Sequence, residues 1–158
     1  MDKPDCIVEI IGEIPTSGIA YFGFEPSGRL HRGILNPINA LRWVASHGLT
    51  PVVWVADYHA HLNGKEMGEW NILRKHIPNA EFLIESSTMD DRWMTSLMML
   101  SKVVNLKRTI RSIDCAGREE DTEGMKMSWL LYALLQAVDI HCLDVDVAIG
   151  IENEQIPP

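Results

Sequence analysis

Residues Ile19 to Ala56 read IAYFGFEPSGRLHRGILNPINALRWVASHGLTPVVWVA, and the order of patterns in them decides the fold. Ile19 to Phe24 is short and rich in β-formers, which reads as a buried strand. Glu25-Pro26-Ser27-Gly28 is a turn. His31 to Ser46 places Ile34, Ile38, Leu41 and Ala45 at helical spacing, and Gly48 is a stop signal. Pro37 falls inside that span, so it is expected to kink the helix or to mark a restart after a first turn. Pro51 to Ala56 is a second apolar strand. Strand, helix and strand in succession make a parallel pair with a crossover.

Working outward, Ala80 to Ile84 and Val145 to Ile149 read as further strands. Met89 to Cys115 carries one long helical pattern rich in Met and Leu, and Arg118 to Glu123 is a charged connection. Gly64 to Pro78 is weakly patterned loop and helix, and Cys6 to Ile14 fits either a strand or a short helix. The expected fold is therefore α/β, a Rossmann-like, mostly parallel sheet with flanking helices. In such sheets ligands bind beyond the C-terminal ends of the strands. That edge collects Gly23, Glu25, Ser27, Gly28, His31 and Gly33 after the first strand. It collects Asp57, His59 and His61 after the second, and Gly150, Glu152, Asn153 and Gln155 after the fourth. A helix beginning near His31 would point amide groups at phosphate. The glycine spacing fits neither the dinucleotide fingerprint nor the P-loop, and a lone His at a helix start is more often a cap or surface residue.

Met125 to Cys142, MKMSWLLYALLQAVDIHC, is apolar almost all round and reads as a helix buried among other elements. Tyr132, Gln136 and Asp139 interrupt it at i, i+4 and i+7, which puts them on one face. Buried polar groups need partners. The stripe is either an internal hydrogen-bond network or the polar wall of a small-molecule pocket. Asp57, His59 and His61 alternate, and in a strand they would share a face and converge on a metal. The other reading is that they line a loop or pocket wall. Lys107, Arg108 and Arg111 make a basic turn, either a solvated face or a phosphate-contacting patch.

Composition excludes little. The chain has 158 residues, 46% hydrophobic and 23% charged, enough for one domain with a core. No apolar run reaches the length of a membrane span, and MDKPDC is unlike a signal peptide, so a cytoplasmic protein is expected. Three scattered cysteines suggest neither a disulfide framework nor a zinc site. A net charge of −8 disfavours non-specific nucleic-acid binding.

Four segments, in order, resemble the tyrosyl-tRNA synthetase catalytic domain of the archaeal and eukaryotic type. They are Tyr21 to Gly33 (YFGFEPSGRLHRG), Val55 to Asn63 (VADYHAHLN), Leu106 to Ser112 (LKRTIRS) and Gln136 to Gly150 (QAVDIHCLDVDVAIG). The resemblance implies the first half of a class I synthetase catalytic domain, over residues 1–158 as a single partial nucleotide- and tyrosine-binding domain. It implies adenylation of tyrosine by ATP with Mg2+, then transfer to tRNA. Tyr21 and Asp139 would hydrogen-bond the substrate's phenolic hydroxyl, and Tyr132 and Gln136 would hold its α-amino group. Gly23 and Glu25 would flank the amino acid and adenylate, and His59 joins the tyrosine-binding set. His31 and Gly33 would face ATP as the catalytic pair. The segment matching Met89 to Ser112 would contribute to a homodimer. No resident metal is implied.

The chain departs from the pattern in places. The family's second signature histidine is Ile34 here, which cannot donate to phosphate. Trp54 stands where a smaller aliphatic residue is usual. The lysine loop and the anticodon-binding domain have no counterpart, so tRNA charging by this chain alone is expected to be impaired. Two further readings are a non-catalytic tyrosine-binding or interaction paralogue, and a metal-dependent hydrolase using Asp57, His59 and His61.

Overall fold

The computed structural model describes residues 2–5, 7, 11–27, 32–114 and 124–150. The chain divides into two compact units. The first holds Met1–Thr88 with Asp144–Ile151, and the second contains Met89–Leu143.

The first unit is a four-stranded sheet in the order β3-β2-β1-β4, parallel throughout. Its strands are β1 (Ile19–Phe24), β2 (Thr50–Val55), β3 (Glu81–Ile84) and β4 (Val147–Ala148). β2 lies between β1 and β3 and is buried from Pro51 to Val55. A strand covered on both faces needs an unbroken apolar run, and PVVWV supplies one. β4 is shorter than the five residues expected from sequence, but its flanks continue the ladder. Asp146 N–H donates to Ile19 O at 3.1 Å and Ile149 N–H to Tyr21 O at 2.8 Å.

Helix α1 (Leu35–Ala45) buries Ile38 and Leu41 against Phe22, Val53 and Val55 on one sheet face. Pro37 does not break it. The preceding Arg32–Ile34 is a 3₁₀ turn, so Pro37 falls in the first turn of α1, where no intrahelical N–H is lost. Gly48 has φ +97°, and a Cβ there would meet the Thr16 carbonyl oxygen, which ties the loop before β2 to glycine. α3 (Leu73–His76) ends where Arg42 Nε and Nη2 both donate to His76 O.

Two short helices follow the strands, α2 (Asp57–Leu62) after β2 and α4 (Glu85–Thr88) after β3. The alternation of Asp57, His59 and His61 is therefore helical and not extended, which overturns the convergence on a metal. In a helix, residues two apart point about 200° apart. His59 is buried and His61 exposed accordingly.

The second unit is helical: α5 (Asp91–Val103), α6 (Leu106–Asp114) and α7 (Met127–Cys142). The single long helix expected from Met89 to Cys115 is two. Val104 turns extended, and the Asn105 side chain accepts from Arg108 N–H at 3.0 Å, starting α6 afresh. Asp90 starts α5 in the same way, accepting from Arg92 N–H at 2.8 Å. α7 is less buried than its composition suggests, with only Val138, Asp139 and Cys142 buried along it. The connection at Arg118 to Glu123, Cys6, Cys115 and the acidic residues after Gly150 lie outside the described residues. Among the described residues no helix is long and apolar enough to cross a membrane.

Candidate active site

At the first unit's sheet, Tyr21 and Gly23 sit two apart on β1 and so share a face. Tyr21 is buried. A Cβ built on Gly23 would stand 2.5 Å from the Tyr21 hydroxyl. The bare glycine is thus what lets the phenol lie along the strand. Trp54 is the register partner of Gly23 on β2 and is fully buried, so it occupies the same face beside the glycine.

Glu25 follows β1. Its carboxylate accepts from Asn63 Nδ2 and from Lys65 Nζ at 2.7 Å, both on the chain leaving α2. Partial burial pushes its pKa up, but the donors Lys65, Asn63 and Ser27 and the Lys65 charge outweigh it, and the carboxyl sits below its ordinary value. Glu25 is therefore a carboxylate held in place by an ion pair.

His59 stands in α2 with its ring against a carboxylate that sequence reasoning did not single out. Glu85, with no exposed surface, accepts from Tyr58 N–H at 3.0 Å and His59 N–H at 3.3 Å. His59 Nδ1 lies 3.0 Å from Glu85 Oε1 and 3.1 Å from Oε2. Glu85 thereby caps α2. Asp57 returns the arrangement, accepting from Ser86 N–H at 2.9 Å and from Ser86 Oγ at the start of α4. The two loops that leave neighbouring strands β2 and β3 cap each other. The available signal was Glu85 ending an apolar strand ahead of Ser86-Ser87, which looks like surface in sequence alone.

In the second unit, Tyr132, Gln136 and Asp139 follow one another on α7. Tyr132 is half-buried, Gln136 exposed and Asp139 fully buried. Asp139 Oδ1 accepts from the Trp93 indole Nε1 at 3.0 Å. Of the two residues expected to face ATP, Gly33 is exposed in the 3₁₀ turn, and His31 lies outside the described residues. Ile34 packs against the apolar cluster of Phe22, Ile38 and Leu41. Lys107, Arg108 and Arg111 are exposed on α6.

Residues 16–151 match the family described as tRNA synthetases class I (W and Y). The chain belongs to that family. Among its relatives are archaeal tyrosine–tRNA ligases. That of Methanocorpusculum labreanum is 34% identical over 147 residues, 86% of this chain and 45% of the relative. That of Methanocaldococcus jannaschii is 32% identical over 146 residues, 83% of this chain and 45% of the relative. Among solved structures, the tyrosyl-tRNA synthetase of Archaeoglobus fulgidus complexed with L-tyrosine aligns at TM-score 0.71 and 27% identity, over 86% of this chain and 46% of that one. The enzyme of Pyrococcus horikoshii, also complexed with L-tyrosine, aligns at TM-score 0.73 and 26% identity, over 82% and 40%. This class I synthetase chain thus has the four-stranded parallel sheet and flanking helices of the tyrosyl enzymes' catalytic domain, and spans about 45% of the length of the relatives it matches.

Proposed function

We propose that the chain binds L-tyrosine and ATP as part of a tyrosine–tRNA ligase catalytic domain. Tyr21 and Asp139 read the phenolic hydroxyl, Tyr132 and Gln136 hold the α-amino group, and Gly23, Glu25 and His59 complete the tyrosine set. His31 and Gly33 serve ATP, with Mg2+ accompanying the nucleotide, and the setting is cytoplasmic protein synthesis. The observation that carries the reading is the Tyr21 hydroxyl lodged over bare Gly23 at the end of a parallel strand. A site built to hydrogen-bond a ligand hydroxyl disfavours the analogue that lacks it, which is how phenylalanine would be rejected. The L-tyrosine held by the relatives from A. fulgidus and P. horikoshii supports the same ligand. Titration with tyrosine and phenylalanine tests it. Tighter tyrosine binding is expected, and equal affinity for both, or none for either, sinks it.

A second reading, a tyrosine-binding protein with weakened adenylation, is favoured by Ile34. That side chain is part of the apolar packing and offers phosphate no hydrogen bond. Losing one donor aimed at developing charge lowers the rate about 10²–10³-fold. Tyrosine-dependent exchange of pyrophosphate into ATP separates the two readings. For tRNA, the exposed cations Lys107, Arg108 and Arg111 of α6 would offer phosphate contacts, and their contribution to binding would be salt-dependent. The metal-dependent hydrolase is set aside, because α2 turns His59 and His61 apart.

A further inference from the structure

Asp139 is a carboxylate with no exposed surface, and Trp93 is buried beside it. The indole N–H donates to Asp139 Oδ1 at 3.0 Å, from the first turn of α5 to the last third of α7. The pairing is held by helix register. Three residues on along both helices, Cys142 Sγ and Ser96 Oγ approach to 3.5 Å, so the two contacts advance in step. α5 is itself fixed at that end, where Asp90 caps it and Trp93 N–H donates to Asp90 O at 3.1 Å.

A core tryptophan fills volume, and phenylalanine or leucine would fill most of it. Only the indole adds a donor to a buried anion. Such a bond constrains the rotation of the carboxylate about its last torsion. A carboxylate offers about four acceptor directions, and the indole bond takes one of them.

We propose that Trp93 is a positioning residue for specificity. Its indole N–H sets the angle at which the Asp139 carboxylate accepts a phenolic hydroxyl, so Trp93 controls the preference for tyrosine over phenylalanine. The proposal rests on the tyrosine reading above and adds to it a residue that never touches the ligand.

The test is calorimetric titration of the full chain and of Trp93→Phe with L-tyrosine and L-phenylalanine. In Trp93→Phe, tyrosine affinity falls about tenfold, the worth of one hydrogen bond to a charged group. Phenylalanine affinity stays where it was, so the ratio collapses by the same factor. A Trp93 that only fills space would weaken both ligands together and leave the ratio intact, which overturns the proposal. Wild-type protein with no preference for tyrosine overturns the tyrosine reading and the proposal with it. If Trp93→Phe does not fold, the Trp93 indole N–H resonance of the wild-type protein decides. Saturating tyrosine shifts it and phenylalanine does not; a resonance indifferent to both, or moved equally by both, overturns the proposal.

Discussion

Gly23 and Tyr21 define a test that separates fold from specificity at the level of one methyl group. The Cβ of Gly23→Ala would collide with the Tyr21 hydroxyl, the far end of a side chain that can swing. The expected stability change is small, within about 1 kcal/mol. The hydroxyl, however, must move, and the preference for tyrosine over phenylalanine should fall. Thermal melting and paired titrations measure the two effects, and a variant that keeps its preference with a displaced Tyr21 counts against the phenol-reading role. Glu25 carries a pH signature. Its folded pKa lies below the ordinary 4.5. A depressed carboxyl stabilises the fold fully above the unfolded value and loses that contribution as pH falls through the folded value. The stability gap between wild type and Glu25→Gln is therefore expected to be full at neutral pH and to close on acidification below about 4.5. Melting curves over that range check it. A gap independent of pH would mean that the Lys65 pair contributes nothing through charge.

At the scale of elements, the parallel strands were legible because burial on both faces leaves an apolar run that sequence cannot hide. β1 is found at Ile19–Phe24 as read, and β2 starts one residue earlier than read, at Thr50. The break between α5 and α6 was not legible, since Val104-Asn105 interrupts neither the apolar spacing nor the length of the pattern. Only the Asn105 side-chain bond to Arg108 N–H distinguishes a cap from an interior asparagine. Gly23 and Glu25 stood out at the edge where β1 ends, and Tyr21 only through the family resemblance. Trp93 and Glu85 were missed because a partner 46 or 26 residues away cannot be read from local spacing. The mutual capping of α2 and α4 gives the prediction at this scale. Glu85→Ala takes the carboxylate from the His59 N–H and imidazole in a buried setting, while the Tyr58 N–H keeps Asp57 Oδ1 at 3.1 Å, and about 3 kcal/mol of destabilisation is expected. Asp57→Ala exposes less buried polar surface, because its partner Ser86 is exposed, and about 1 kcal/mol is expected. Urea unfolding of both variants ranks them, and equal losses would show that the two caps are not unequal in the way burial implies.

For the whole molecule, the question is whether it stays single in solution. The family resemblance implies that the segment Met89 to Ser112 contributes to a symmetric contact, and α5 within it carries apolar surface that could make one. Met94 is 55% exposed, Met98 56%, Met99 58% and Val103 79%, with Leu106 at 61% just beyond. Methionines one turn apart make an adaptable apolar face, and burying such a face against its own copy is favourable at roughly 25 cal/mol per Å² before the cost of association. Opposing this, each chain carries a net charge of −8, so two copies repel. At physiological salt, charges more than about 8 Å apart are largely screened, and the apolar term then prevails. The expected outcome is a monomer–dimer equilibrium in sedimentation velocity that shifts toward dimer as salt rises. Met98→Glu puts a charge in the middle of the face, two per dimer, and is expected to return the chain to monomer while leaving its melting temperature nearly unchanged, since the side chain is exposed. A wild-type chain that sediments as one monomeric species at the highest concentration, at both low and high salt, removes the contact. Association that weakens as salt rises would instead point to charge pairing, with the basic turn of α6 as the place to look.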